Sequence, residues 1–230
     1  MQEIISKVLT SMYSQSEIID IKEEGKKFIL KEYLTNSSIK WYLITPFFYF
    51  NYPYVADPIK RMYREIDFLT HNWKDKIKVP KLIDYDIKNV YIIREFIDGK
   101  IPQTPNDFKK LGKTIKNIHG EGFSLGDTKY ENFLIANENE VFVIDAEQAI
   151  KTENRKFRAW DLLVLFLFTS YKFIANINEY RESVISFLEE YDGERSVLES
   201  VLDRENGLLL SVFPPINLIE LKNIISEFLK

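Results

Sequence analysis

The sequence predicts an α+β protein of two segregated lobes, a β-rich amino-terminal one with a single main helix and a mostly helical carboxy-terminal one. Three observations predict it. Short apolar strands dominate the first hundred residues. Helical periodicity dominates everything after Gly99. A cluster of turn formers, Gly99, Pro102 and Pro105, separates the two patterns. Strands first and helices later imply elements that pack in separate layers. The expected division is 1–98 and 99–230, within one overall domain.

In chain order, Glu17–Ile21 and Phe28–Leu34 read as strands around a Glu24-Gly25 turn. Asp57-Pro58 is a helix start, with a capping carboxylate before proline at the first helical position. The helix then sets Ile59, Met62, Ile66, Leu69 and Trp73 at helical spacing, and Val79-Pro80 ends the segment. Lys81–Asp84 and Val90–Phe96 follow as strands, the second closed by Asp98-Gly99. Phe108, Leu111, Ile115 and Ile118 share one face of a helix that stops near Gly120 and Gly122. Phe133–Ala136 and Val141–Ile144 form a hairpin across 137–140. Further helices are expected at about 159–176, 179–191, 195–204 and 217–229.

Composition narrows the chemistry. Of 230 residues, 45% are hydrophobic and 29% charged, which suits a globular chain with a sizeable core. The absence of cysteine excludes disulfides, thiolate metal sites and cysteine nucleophiles. A net charge of −4 supplies no overall attraction to nucleic acid or anionic membranes, so no direct nucleic-acid binding is expected. The first ten residues carry Glu3 and Lys7 rather than a long apolar run, and a cytoplasmic location is expected. The most apolar stretch, Leu162–Phe168, falls far below the roughly 20 residues a membrane span takes.

The chemistry concentrates in Gly126-Asp127-Thr128-Lys129-Tyr130-Glu131-Asn132 and Val143-Ile144-Asp145. Asn132 follows Asp127 by five residues, and Asp145 follows Asp127 by eighteen. Phosphoryl transfer from a nucleotide needs these residue types. One carboxylate orients the attacking hydroxyl and accepts its proton, while an amide oxygen and a second carboxylate hold Mg²⁺ against the phosphates. The apolar hairpin between Asn132 and Asp145 brings the two candidate metal ligands back to one place.

This stretch resembles the catalytic loop and metal-binding aspartate of protein kinases in residue types and spacing. The resemblance covers roughly residues 14–168 and is nearest to small atypical kinases: the KEOPS-complex kinase, RIO kinases and lipopolysaccharide core kinases. It implies ATP and Mg²⁺ as cofactors, Asp127 and Lys129 as catalytic residues, and Asn132 and Asp145 as metal ligands. Phe28-Ile29-Leu30-Lys31 resembles the third-strand lysine motif, so Lys31 is expected on the α/β-phosphates with Glu65 as its helix partner. Ile92–Gly99 resembles the nucleotide hinge, which places backbone groups of Glu95 and Ile97 on adenine. Ser14 and Ser16 stand where a glycine-rich phosphate loop is expected. Asp161 resembles the aspartate that braces the catalytic loop.

The chain also departs from the kinase pattern. Leu125-Gly126 replaces the usual histidine-arginine, Ala146-Glu147 replaces phenylalanine-glycine, and no Ala-Pro-Glu segment follows. Fifteen residues separate Asp145 from Asp161, which is short for an activation loop. The expected function is ATP-dependent transfer to a hydroxyl, as in an atypical serine/threonine protein kinase. The alternatives are a small-molecule or glycan kinase and a nucleotide-binding pseudokinase. The partner is then a protein substrate or a small hydroxyl acceptor. His119, at a helix end, reads as structural. The aromatic run Trp41–Val55 reads as a docking surface or as packing before the helix at Asp57, and Arg155, Lys156 and Arg158 as an anion site or a solvated loop.

Overall fold

A computed structural model describes residues 16–21, 26–34, 39–74, 76–136 and 140–230. The chain is α+β. Strands β1 (Ser16–Ile21), β2 (Lys26–Glu32), β3 (Leu82–Asp86) and β4 (Tyr91–Glu95) form an antiparallel sheet in the order β1-β2-β4-β3. The register sets Lys31 opposite Ile92 and Phe28 opposite Glu95. Residues 22–25 and 137–139, where two turns are expected, lie outside the described residues.

Among the described residues, two helices rather than one precede β3. Helix α1 (Ile39–Phe48) lies within the aromatic run. Its signal is hidden because apolar residues occupy every side of it and Pro46 interrupts its interior, so no 3.6-residue stripe stands out. Helix α2 (Pro58–Thr70) begins as expected, with the Asp57 side chain accepting from the Lys60 amide at 2.8 Å. Its buried face differs from the apolar reading. Arg61, Met62, Glu65, Phe68 and Leu69 are buried, whereas Ile59 is 41% exposed. Trp73 lies past the helix end, held by its indole N–H on the Phe68 carbonyl at 2.9 Å.

Helix α3 (Pro105–Gly120) opens with a reciprocal Thr104–Asp107 capping box. Strand β5 (Phe123–Ser124) pairs with β8 (Ile150–Lys151), and β6 (Phe133–Ala136) pairs with β7 (Glu140–Val143). Helices α4 (Arg155–Lys172), α5 (Ile177–Tyr191), α6 (Arg195–Val201), α7 (Gly207–Leu210) and α8 (Pro215–Phe228) complete the chain. Helix α4 starts four residues earlier than periodicity suggests, because Asn154 caps it by accepting from the Lys156 amide at 3.0 Å.

Helices α3 and α5 pack at close range, with no room for a Cβ at Gly112: one built there would sit 2.2 Å from the Phe187 carbonyl oxygen. The main core gathers on Trp160, Phe166, Phe187 and Leu221 and extends to Trp41 and Phe68. A smaller core of Tyr33, Met62, Leu69, Val90 and Ile92 fills the space between the sheet and α2. Helix α2 thus contributes to both, Phe68 to one and Met62 to the other. Among the described residues, no helix is long and apolar enough to cross a membrane.

Candidate active site

Lys31 projects from β2 into a buried ionic cluster. Its Nζ lies 2.5 Å from Glu65 Oε2, 2.9 Å from Asp145 Oδ1 and 3.7 Å from Glu147 Oε2. Glu65 also accepts from the Tyr33 hydroxyl at 2.7 Å. Burial pulls the Lys31 pKa down, but Asp145, Glu65 and Glu147 outweigh it and hold the ammonium above its ordinary value. Burial opposes charge on Asp145 too, yet Lys31, Lys40 and Lys129 keep its carboxyl well below the usual range. Burial pushes Glu65 upward.

The hairpin positions the next pair. The Ile144 amide donates to the Asn132 carbonyl at 2.9 Å, which sets Asp145 beside Asn132 at the base of β6 and β7. The Asn132 side-chain amide donates to the Asp127 carbonyl at 2.7 Å, so its Oδ1 is left for another partner. That oxygen and the Asp145 carboxylate are hard donors of the kind Mg²⁺ takes, and both residues line the same cavity. The donor set therefore fits a magnesium ion. Lys129 Nζ lies 3.6 Å from Asp127 Oδ2, and this carboxylate, working against burial, raises Lys129 to about 12.

Asp161 holds the loop that carries Asp127. One of its oxygens accepts from the Gly126 amide at 2.7 Å. The other accepts from the Leu125 amide at 2.8 Å and the Ser124 hydroxyl at 2.9 Å, and lies 3.0 Å from His119 Nε2. His119 Nδ1 faces the Tyr191 hydroxyl at 2.8 Å, so this buried histidine is fully engaged in structure. Gly126 has φ +75, and a Cβ there would meet the Tyr52 ring at 2.3 Å. Glycine at this position is required on both counts.

The structure brings Lys31, Asp127, Lys129, Asn132 and Asp145 to one cavity, with Glu65 beneath Lys31. It does not bring Glu95 or Ile97 to that cavity. Glu95 ends β4, its carboxylate accepting from the Lys81 amide at 3.1 Å. Ile97 packs on Ala136 and Phe142 of the hairpin. Ser14 lies outside the described residues, and Ser16 is described only as the first backbone position of β1.

Sequence reasoning missed two members of the cluster, Glu147 and Arg61. Glu147 is fully buried and accepts from Arg61 at 2.8 Å and from the Trp41 indole at 2.5 Å. Arg61 in turn donates to the Tyr33 carbonyl at 2.8 Å. The one signal available was Arg61 four residues before Glu65, a polar pair on a single helix face.

No family model matches the chain. Two archaeal relatives do, each named a probable bifunctional tRNA threonylcarbamoyladenosine biosynthesis protein. That of Methanosarcina acetivorans is 26% identical over 151 residues, which cover 64% of this chain and 25% of the relative. That of Methanosarcina barkeri is 25% identical over 148 residues, covering 62% and 24%. The matched region thus spans about a quarter of the length of these relatives.

Proposed function

We propose that the chain is an ATP-dependent phosphotransferase with the two-lobed arrangement of protein kinases, acting on a hydroxyl acceptor. The observation that carries the reading is the Lys31 ammonium held between Glu65 and Asp145, beside Asp127 and Asn132 in one cavity. Lys31 would hold the nucleotide's phosphates, and Glu65 keeps its side chain aimed. Asn132 and Asp145 would hold Mg²⁺, which supplies charge neutralisation on the transferring group. Asp127 orients the acceptor hydroxyl and takes its proton as the oxygen attacks. Lys129, a cation beside Asp127, would stabilise the negative charge that develops.

The test is incubation with γ-labelled ATP and Mg²⁺, with generic protein acceptors and with a metabolite extract. Wild type should transfer label. Asp127→Asn keeps the size of the side chain and removes the base, so turnover should fall about 10²–10⁴-fold with nucleotide binding retained. Near-wild-type turnover in that variant would remove Asp127 from the mechanism.

The relatives' names support a second reading, service in tRNA threonylcarbamoyladenosine biosynthesis. It concerns the setting of the reaction rather than its chemistry. Unchanged levels of that modified nucleoside in cells lacking this protein would count against it.

A further inference from the structure

The cavity that holds Asp127 and Lys129 is about 590 Å³, within the range of small-ligand sites. Its charged lining includes two ion pairs, Lys31 with Asp145 and Lys129 with Asp127, and Lys40 of α1. Part of the wall is helical and apolar: Ile44 and Phe48 from α1, Val164, Leu167 and Phe168 from α4, and Leu209 from α7. Helix α1 forms this wall because its Phe48 ring packs 5.2 Å from Trp160 of α4.

The aromatic residues in the wall have their polar atoms already engaged. The Trp41 indole donates to Glu147 and the Trp160 indole to the Tyr54 hydroxyl at 2.7 Å. The Tyr54 hydroxyl donates to the Gly126 carbonyl at 2.5 Å. What these rings present to the cavity is therefore apolar surface.

An extended peptide needs backbone partners along a groove, and helix interiors spend theirs within the helix. A sugar needs a hydrogen-bonding group for each of several hydroxyls, and the six residues that α1, α4 and α7 set in the wall, Ile44, Phe48, Val164, Leu167, Phe168 and Leu209, offer none. We infer that the acceptor is a small molecule with an apolar body and a terminal hydroxyl, its body on the α1–α4–α7 wall and its hydroxyl at Asp127. The inference rests on the phosphotransferase reading and names its substrate class. In the reaction the hydroxyl oxygen bonds to the γ-phosphorus of ATP and the β,γ-bridging oxygen leaves with ADP. The hydroxyl proton passes to Asp127 and then to water.

The probes are 2-phenylethanol and 1-octanol, with glucose and casein as polar and protein alternatives. Trp41 and Trp160 report occupancy directly, because both line the cavity. Either alcohol should change tryptophan emission saturably, with no nucleotide present, and glucose should not. Label from Mg²⁺ and γ-labelled ATP should move to the alcohols. Ile44→Tyr fills the wall, and Phe168→Glu puts a charge at a position that is 38% exposed. Each should weaken alcohol binding about tenfold or more while leaving the Mg-ATP dissociation constant unchanged. No saturable alcohol signal, unaltered alcohol binding in both variants, or transfer to casein or glucose alone would overturn the inference and leave the phosphotransferase reading standing. Failure of wild type to bind Mg-ATP would remove that reading, and the inference with it.

Discussion

Lys129 is half of a close ion pair with Asp127, and its charge has a pH window that can be measured. Its pKa stands at about 12 in the folded protein against an ordinary 10.5, with Asp127 the leading cause. A raised folded pKa means that the pair's stabilisation is complete below the unfolded value and is lost as pH rises through the folded one. Lys129→Met should therefore be less stable than wild type at pH 8, and the gap should close between about pH 10.5 and about pH 12. Urea midpoints across that range are the measurement, and a gap independent of pH would show that Asp127 does not set the lysine's charge. Asp145 has the opposite sense. Its carboxyl is depressed despite burial, by Lys31, Lys40 and Lys129, so its contribution is present above the ordinary carboxylate range and fades as pH falls below it.

Among elements, α3 and α5 meet backbone to backbone, and Gly112 is what permits it. Gly112→Ala would press a methyl against the Phe187 backbone, which has no flexible end to move aside. The helices must part, at a cost of about 3 kcal/mol, read as a lower urea midpoint with an unchanged slope. The segment after Asp145 is the other element with a testable property. Gln148 is fully buried, its amide donating to the Val55 carbonyl at 2.9 Å and accepting from the Val55 amide at 3.0 Å. Ile150–Lys151 pairs with β5, and the Thr152 amide donates to the Gly122 carbonyl at 2.7 Å. A segment pinned at three places has little freedom to act as an activation loop. Thr152→Ala and phosphatase-treated wild type should turn over alike. Loss of most activity in both, restored by phosphate on Thr152, would make this short segment a switch.

At the scale of the molecule, the ionic cluster ties the sheet to the helical core. Lys31 comes from β2, Arg61 and Glu65 from α2, and Asp145 and Glu147 from the segment after β7. A ligand that bridges these groups stabilises every element that supplies them. Mg-ATP at about 100 times its dissociation constant should add about 2.7 kcal/mol. For a chain of this size that is a melting shift of roughly 5–10 °C. Asp145→Ala should lose the Mg²⁺-dependent part of the shift, and an equal shift in that variant would deny Asp145 the metal.

The order of strands and helices was legible in the sequence because each strong element carries its own local signal. Asp57-Pro58 starts α2, Thr104 and Asp107 box the start of α3, and the alternation around 133–143 makes a hairpin. The candidate residues Asp127, Asn132 and Asp145 were legible for the same reason, since their spacing is set within one loop and one hairpin. Helix α1 was not, because an evenly apolar segment with an internal proline has no period to read. The aromatic run turned out to do two things. Trp41, Tyr52 and Tyr54 are buried, while Phe47 and Phe50 are 70% and 88% exposed. Glu147 and Arg61 were hidden because a buried charge is recognised only by its partner, and the two stand 86 positions apart. The apolar wall of the cavity that holds Asp127 was likewise decided by tertiary structure alone. Its residues come from three helices far apart in the chain, and only packing sets them around one cavity.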